Sequence, residues 1–428
     1  MNIRSTLATL AVVAGGITIT PRIAEACGGC FGPVDVQQVV TDHRMVMAIH
    51  ADSAILWDQI RYTGAPQDFS WVLPVLGDAR VEVASGEFFD TLDALTTVSV
   101  RGPVPPSCPS ANQTRFAAGA AANAASDASA GGATVTVLRQ ETVGPYDTVL
   151  LRSTDPGALT TWLRSNNYAV PPAIVPVIDY YVAHSMDFIA LRLRPGVGVQ
   201  AMQPVRIRYA GANMVLPLRM VAAGVADKVG ITLWVFGTGR HEAANFGNGT
   251  VSTSQLAWNW DTSRSNYAEV FRATQTSIAN GRSWITEYAE EAAFLRYRFQ
   301  FSAPASDGGT PGGALYDWQL ATQDNRAGVW ITKLRSDLLA RYLDSDLSLA
   351  ASVTNTSVSN LLSTTLETGV RPVPICASAV SVGGGAVVTC RVQAPGSRPS
   401  SAPFWAAFAA AAAATLLSTR RFRRDRRS

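Results

Sequence analysis

The chain has 428 residues, enough for about two or three domains. Its 47% hydrophobic and 16% charged residues exclude a disordered, collagen-like or charge-rich helical-repeat protein. The formal charge of +3 is uneven: residues 420–428 carry +5 and residues 1–26 carry +1, leaving −3 for the body, which gives a nucleic-acid-binding body little support.

Residues 1–26 read as a secretory signal peptide. Arg4 opens it, Leu7 to Ile19 is apolar, and Ala24-Glu25-Ala26 offers a small-x-small cleavage site. Cleavage there makes Cys27 the mature N-terminus, a position that suggests lipidation, although Ala24 stands where a bacterial lipobox usually has Leu. Residues 27–105 read as a β-rich domain with strand runs at Val46 to Ile49 and Ala54 to Trp57. A hairpin is expected from Gln59-Ile60-Arg61-Tyr62, through the Gly/Pro turn at 63–68, into Phe69 to Val75, with Pro74 marking an edge or bulge. Phe88 to Leu95 suits a short helix. Residues 106–132, Pro-rich and then Ala/Ser/Gly-rich, read as a low-complexity loop.

A central domain spans 133–353, opening with strands at 134–140 and 146–152. Asp155-Pro156 has the N-cap and first-turn order of a helix start, Leu159, Trp162 and Leu163 share its apolar face, and Asn166-Asn167 ends it. A second helix follows Pro171-Pro172. Strands are expected at Ile189 to Arg194, Val205 to Tyr209, 214–221 and 230–237, in an antiparallel sheet. Helix is expected over 262–300, with Ile285, Tyr288, Ala292 and Leu295 on one face, and over 328–341, with Ile331, Leu334 and Leu338. Strands resume at 346–353 and 374–390. The fold class is α+β, antiparallel sheets with packed helices. Residues 354–390 form a disulfide-hairpin region and 391–402 a Pro/Ser linker. Residues 403–419 are apolar enough for one transmembrane helix, and the six arginines of 420–428 mark its cytoplasmic side.

Export makes disulfides the expectation for Cys30, Cys108, Cys376 and Cys390. Cys376 and Cys390 flank a Gly-rich turn and suit a closed hairpin. Cys30 with Cys108 closes a long loop, leaving Cys27 lipidated, free or intermolecular. Cys27-Gly-Gly-Cys30 also has thioredoxin-type spacing, without the strand and helix that activate such a thiol. No metal or cofactor site is expected. His241-Glu242-Ala243-Ala244-Asn245 has Asn where a zinc-protease motif has its second His. Asp344-Ser345-Asp346 lacks the glycine and later acid of a calcium loop, and Trp258 and Trp260 suit core packing better than sugar stacking.

Asp68-Phe69-Ser70-Trp71-Val72-Leu73-Pro74-Val75, Gly144-Pro145-Tyr146-Asp147, Leu159 to Tyr168, Phe188 to Leu193 and Gln203-Pro204-Val205 follow Ala26-Cys27-Gly28-Gly29-Cys30-Phe31 in order. In this combination the chain resembles the uncharacterised bacterial secreted family called domain of unknown function 2330, over residues 27–350 or so. The resemblance implies an exported protein, often with a C-terminal membrane tail, and brings no catalytic residues.

The functional expectation is a cell-envelope protein, its body outside the cytoplasm, that binds or scaffolds an envelope protein or polysaccharide and is not an enzyme. The alternatives are a secreted hydrolase with a site built from scattered acids and histidines, and a thiol-redox protein using Cys27 and Cys30.

Overall fold

The computed structural model describes residues 30–31, 42–59, 69–104, 135–168, 170, 172–222, 225, 227–302, 313–372, 374–376, 380–382, 385–387 and 390–392. The expected signal peptide, low-complexity loop, transmembrane stretch and arginine tail lie outside them, as do Cys27 and Cys108. Among the described residues no helix is long and apolar enough to cross a membrane. Two compact units are present. The larger holds the described residues within Met1–Arg101, Arg115–Thr253 and Tyr267–Ser363; the smaller holds those within Gly102–Thr114, Ser254–Asn266 and Thr364–Ser428.

The fold of the larger unit is α+β, built on two sheets. One runs Cys30–Phe31, Ser70–Val75, Asp187–Leu193, Tyr146–Arg152, Thr136–Val143, all antiparallel. The other runs Gly247–Gly249, Ser283–Glu291, Val329–Leu339, Lys228–Thr238, Asp42–Ile49, Ser53–Asp58, Val205–Ala210, Arg80–Val83. Strands from both sides of residues 105–134 are therefore hydrogen-bonded in the same sheets.

Alternation along each strand decides the layering, because successive side chains point to opposite faces. Trp71, Leu73, Ile189 and Leu191 from the first sheet share a core with Met45, Met47, Leu56, Ile207 and Leu233 from the second. On the outer face of the first sheet, Val72, Phe188 and Ala190 lie under Leu159, Leu163, Ile178 and Tyr181 of helices Pro156–Ser165 and Val175–Ala183. On the outer face of the second, Trp57, Trp234, Phe236 and Ile331 meet Phe88, Leu92, Leu295, Phe299 and Trp318 of helices Gly86–Thr96, Ala292–Ser302 and Ala314–Thr322. The order is helices, sheet, sheet, helices. Each fully buried apolar side chain contributes about 1.5–3 kcal/mol of burial.

Several local readings hold. Asp155 caps helix Pro156–Ser165, its side chain accepting from the Gly157 amide at 2.8 Å, with Pro156 in the first turn. Asn166 is its C-cap, and Asn167 takes φ 63°.

Others are corrected. Residues 283–291 and 329–339 are central strands, where helix was expected. Leu334 and Leu338 face the core between the sheets while Ile331 faces the helices. A strand buried on both faces thus mimicked one helical stripe. Beyond Gln59, the first strand and turn of the expected hairpin lie outside the described residues, while its second strand, Ser70–Val75, pairs with Cys30–Phe31 and Asp187–Leu193. Pro74 lies farther along its strand than Cys30–Phe31 reaches, since that strand stands opposite Trp71 and Ser70 only. The expected strand over 214–221 is Val215–Leu216 followed by a helical turn, Leu218–Val221, after Pro217. The larger sheet is not wholly antiparallel, since Lys228–Thr238 runs parallel to Asp42–Ile49.

In the smaller unit, Ala257–Asn259 pairs with Arg264–Ser265 and Leu366–Thr368. Trp258 and Trp260 meet edge to face at 6.5 Å, and Glu367 accepts from Trp260 Nε1 at 2.8 Å. A Cβ on Gly102 would stand 2.4 Å from the Trp258 ring, so only glycine lets that ring pack. This is the packing role read for the indole pair. Pro374–Cys376 pairs with Cys390–Val392, and the backbone register sets Cys376 opposite Cys390.

Candidate functional site

The segments that carry the family resemblance assemble on the five-stranded sheet. Ser70–Val75, Tyr146–Arg152 and Asp187–Leu193 are its inner strands, helix Pro156–Ser165 covers them, and the Tyr146 hydroxyl donates to the Gln203 carbonyl at 2.6 Å. Where strand Asp187–Leu193 ends, a cleft of about 480 Å³ opens, lined by Phe69, Asn167, Arg192, Leu193 and Arg194 to Gly198.

Its shape follows from three chain reversals. Arg194-Pro195-Gly196-Val197 turns with the Val197 amide donating to the Arg194 carbonyl at 3.0 Å, and Gly196 takes φ 82°, which favours glycine. The Arg194 amide donates to the Pro145 carbonyl at 3.0 Å, tying this turn to the one before Tyr146. Asn167, past the cap of helix Pro156–Ser165, supplies the third.

Arg192 is oriented from several sides: Nη1 donates to the Asn166 carbonyl at 3.1 Å, Asp147 lies 3.8 Å from Nε, and the guanidinium sits 5.8 Å from the Tyr168 ring centre. Burial pushes the Tyr168 phenol up to about 12, so it remains neutral. Arg194 is exposed and meets no acid among the described residues. Phe69, 2% exposed, forms an apolar floor. The cleft is cationic at the rim and apolar below.

A second arginine pair lies elsewhere in the unit. Arg206 donates from Nη1 to Asp317 at 2.6 Å and from Nε to Glu82, and Arg208 donates to Glu82 at 3.1 Å. Asp317 also accepts from Trp57 Nε1 at 2.7 Å and the Ser85 amide at 2.9 Å. Burial pushes its carboxyl up, by more than Arg206, the Ser85 amide and Trp57 lower it. The network is saturated, and it fastens helix Ala314–Thr322 to the sheet. Beside it a cavity of about 290 Å³ is lined by His50, Arg208, Tyr316, Gln319 and Gln323.

His43 and Asp58 form a buried pair, Nε2 to Oδ1 at 2.7 Å, beside a space of about 10 Å³. His241 sits in strand His241–Ala243, its Nδ1 3.0 Å from the Gly239 carbonyl. Asn245 donates to the Asp346 carbonyl and accepts from the Ser348 amide. Both are ties within the fold. Among the described residues no group of three His, Cys, Asp or Glu could hold a metal ion. Of the expected cysteines, Cys30 lies in a two-residue strand opposite Trp71, and Cys376 and Cys390 face each other in register. The Arg192–Arg194 pair escaped the sequence reading, although Arg-x-Arg followed by Pro-Gly marks a strand running into a turn.

The model of a family described as "Uncharacterized protein conserved in bacteria (DUF2330)" matches residues 21–294. No curated protein matches. The crystal structure of baculovirus P35 is similar at 12% identity, over 48% of this chain and 67% of that chain, with a TM-score of 0.28. A mutated, caspase-cleaved baculovirus P35 is similar at 9% identity, over 49% and 70%, with a TM-score of 0.21. Likenesses this low carry no argument about this chain.

Proposed function

Since the chain belongs to the bacterial DUF2330 family, whose description assigns no activity, we propose a role from its own residues: an exported, membrane-anchored envelope protein that binds an acidic polysaccharide. The observation that carries the binding role is the cleft, with Arg192 held in place and Arg194 without an acid among the described residues, above an apolar floor. Its volume of about 480 Å³ falls within the range of about 300–1,000 Å³ typical of ligand sites. Guanidinium forks suit carboxylates, which an acidic polysaccharide presents repeatedly.

In this reading the signal peptide 1–26 is removed, helix 403–419 crosses the membrane, and the arginine tail stays in the cytoplasm. The support is the apolar length and the arginine cluster. Cys376–Cys390 is disulfide-bonded, supported by the facing register. Cys30 bonds Cys108, and Cys27 is lipidated or free.

A hydrolase reading would use the His43–Asp58 pair. Its adjoining space of about 10 Å³ has room for about one water and none for a substrate, which favours binding.

Retention on an immobilised acidic polysaccharide tests the binding role: the body is retained, and the Arg192→Ala/Arg194→Ala double variant passes through. Equal retention of both would refute it. Protease added to intact spheroplasts tests the topology; it digests the body, whereas a protected body with a clipped arginine tail would contradict the arrangement.

A further inference from the structure

The chain has two lysines, Lys228 and Lys333, and 35 lysines and arginines together, so a buried lysine stands out. Lys333 is 5% exposed at its side chain, on the helix-facing side of strand Val329–Leu339. Its Nζ lies 3.0 Å from Asp93 Oδ1, on helix Gly86–Thr96, and 5.4 Å from the Trp234 ring centre. Glu287 Oε2 stands 3.6 Å from the same nitrogen, on a side chain 4% exposed.

Glu287 reaches this point because its strand is irregular. Thr286 pairs with Leu334 and Tyr288 with Lys333, so Glu287 is the extra residue of a β-bulge. Bulges re-aim side chains and recur beside reactive sites. Its other oxygen is anchored: Oε1 accepts from the Tyr267 hydroxyl at 2.9 Å and lies 3.8 Å from Arg335 Nη1. Oε2 is thereby turned toward the lysine. The Thr97 hydroxyl donates to Asp93 Oδ1 at 3.2 Å and polarises the carboxyl.

An amine pressed against one carboxyl, with the buried Glu287 carboxyl beside it, brings together the groups that amide condensation needs. We infer that Lys333 and Asp93 become joined by an intramolecular isopeptide bond, with Glu287 as the proton carrier. The ammonium gives one proton to the Asp93 carboxylate, leaving a neutral amine and a neutral acid. The nitrogen lone pair attacks Cγ, the C–N bond forms, and Glu287 Oε2 takes a second proton from nitrogen. The C–O bond breaks, and the departing hydroxyl takes the proton back from Glu287 to leave as water. One amide and one water replace amine and acid, with no oxidant or reductant. Asp93, 42% exposed at its side chain, gives the water a way out. A covalent tie between helix and central strand would suit a body working outside the cytoplasm.

Peptide mapping of the purified full-length chain by mass spectrometry after trypsin decides the matter. The expected product is a branched peptide joining the Lys333 and Asp93 segments, one water lighter than their sum, with cleavage at Lys228 but none after Lys333. Glu287→Gln, folded by circular dichroism, should lose the branch, and Asp93→Asn should form the same branch by losing ammonia. Cleavage after Lys333 with an unlinked Asp93 peptide in the native chain would overturn the inference, and a fully linked Glu287→Gln chain would overturn the role of Glu287.

Discussion

Two strands of this protein carry the same signature, Arg-x-Arg at alternate positions, and the fold uses them in opposite ways. On Val205–Ala210, Arg206 has a side chain 3% exposed, locked between Asp317 and Glu82. At the end of Asp187–Leu193, Arg192 has a side chain 38% exposed and only a distant acid, Asp147, and Arg194 lies open to solvent. The pair whose acids arrive from elsewhere in the chain is consumed in holding a helix. The other pair, with only Asp147 at 3.8 Å from Arg192 and no acid at Arg194 among the described residues, is the one we propose for a ligand. What separates them is the company each keeps, and that company is set by tertiary structure.

The sharpest way to break this comparison is Asp317→Ala. It leaves Arg206 buried without its one fully buried acid and should cost about 3–5 kcal/mol, read as a lower urea midpoint. A loss below about 1 kcal/mol would place that pair with the exposed ones.

Acid should act next, through histidines outside the cleft. Burial lowers the His50 and His241 imidazoles below their usual range, more than the Gly239 carbonyl at His241 or the Ala321 backbone bond and Asp52 at His50 raise them. Both are therefore neutral when folded, and the unfolded chain binds more protons once pH drops through about 6.5. Stability should fall as pH is lowered from there, and His241→Gln should flatten the slope. An unchanged slope in that variant would contradict the assignment.

Arg192→Ala removes one hydrogen bond and a long ion pair, and should cost about 1 kcal/mol or less. Arg194→Ala should stay within about 0.5 kcal/mol by thermal denaturation, yet weaken polysaccharide binding. A large stability loss from Arg194→Ala would make it a structural residue like Arg206.

Much of the fold was legible where a signal is local. The Asp155-Pro156 helix start needs only neighbouring residues, and the alternation of Val205 to Tyr209 needs only its own strand. Residues 283–291 and 329–339 were misread because strands buried on both faces lose the alternation of polar and apolar positions that distinguishes strand from helix. The candidate site was less legible. Asp317 stands 111 residues from Arg206, and Glu82 stands 124 away, so nothing local tells a consumed arginine from an available one.

Calorimetric titration of the purified body with a uronic-acid oligosaccharide, at low and high salt, tests the central claim most directly. The account predicts saturable binding that weakens with salt and disappears in the Arg192→Ala/Arg194→Ala variant while the fold is kept. Binding of equal strength in that variant, or no binding by the native body at low salt, would contradict it.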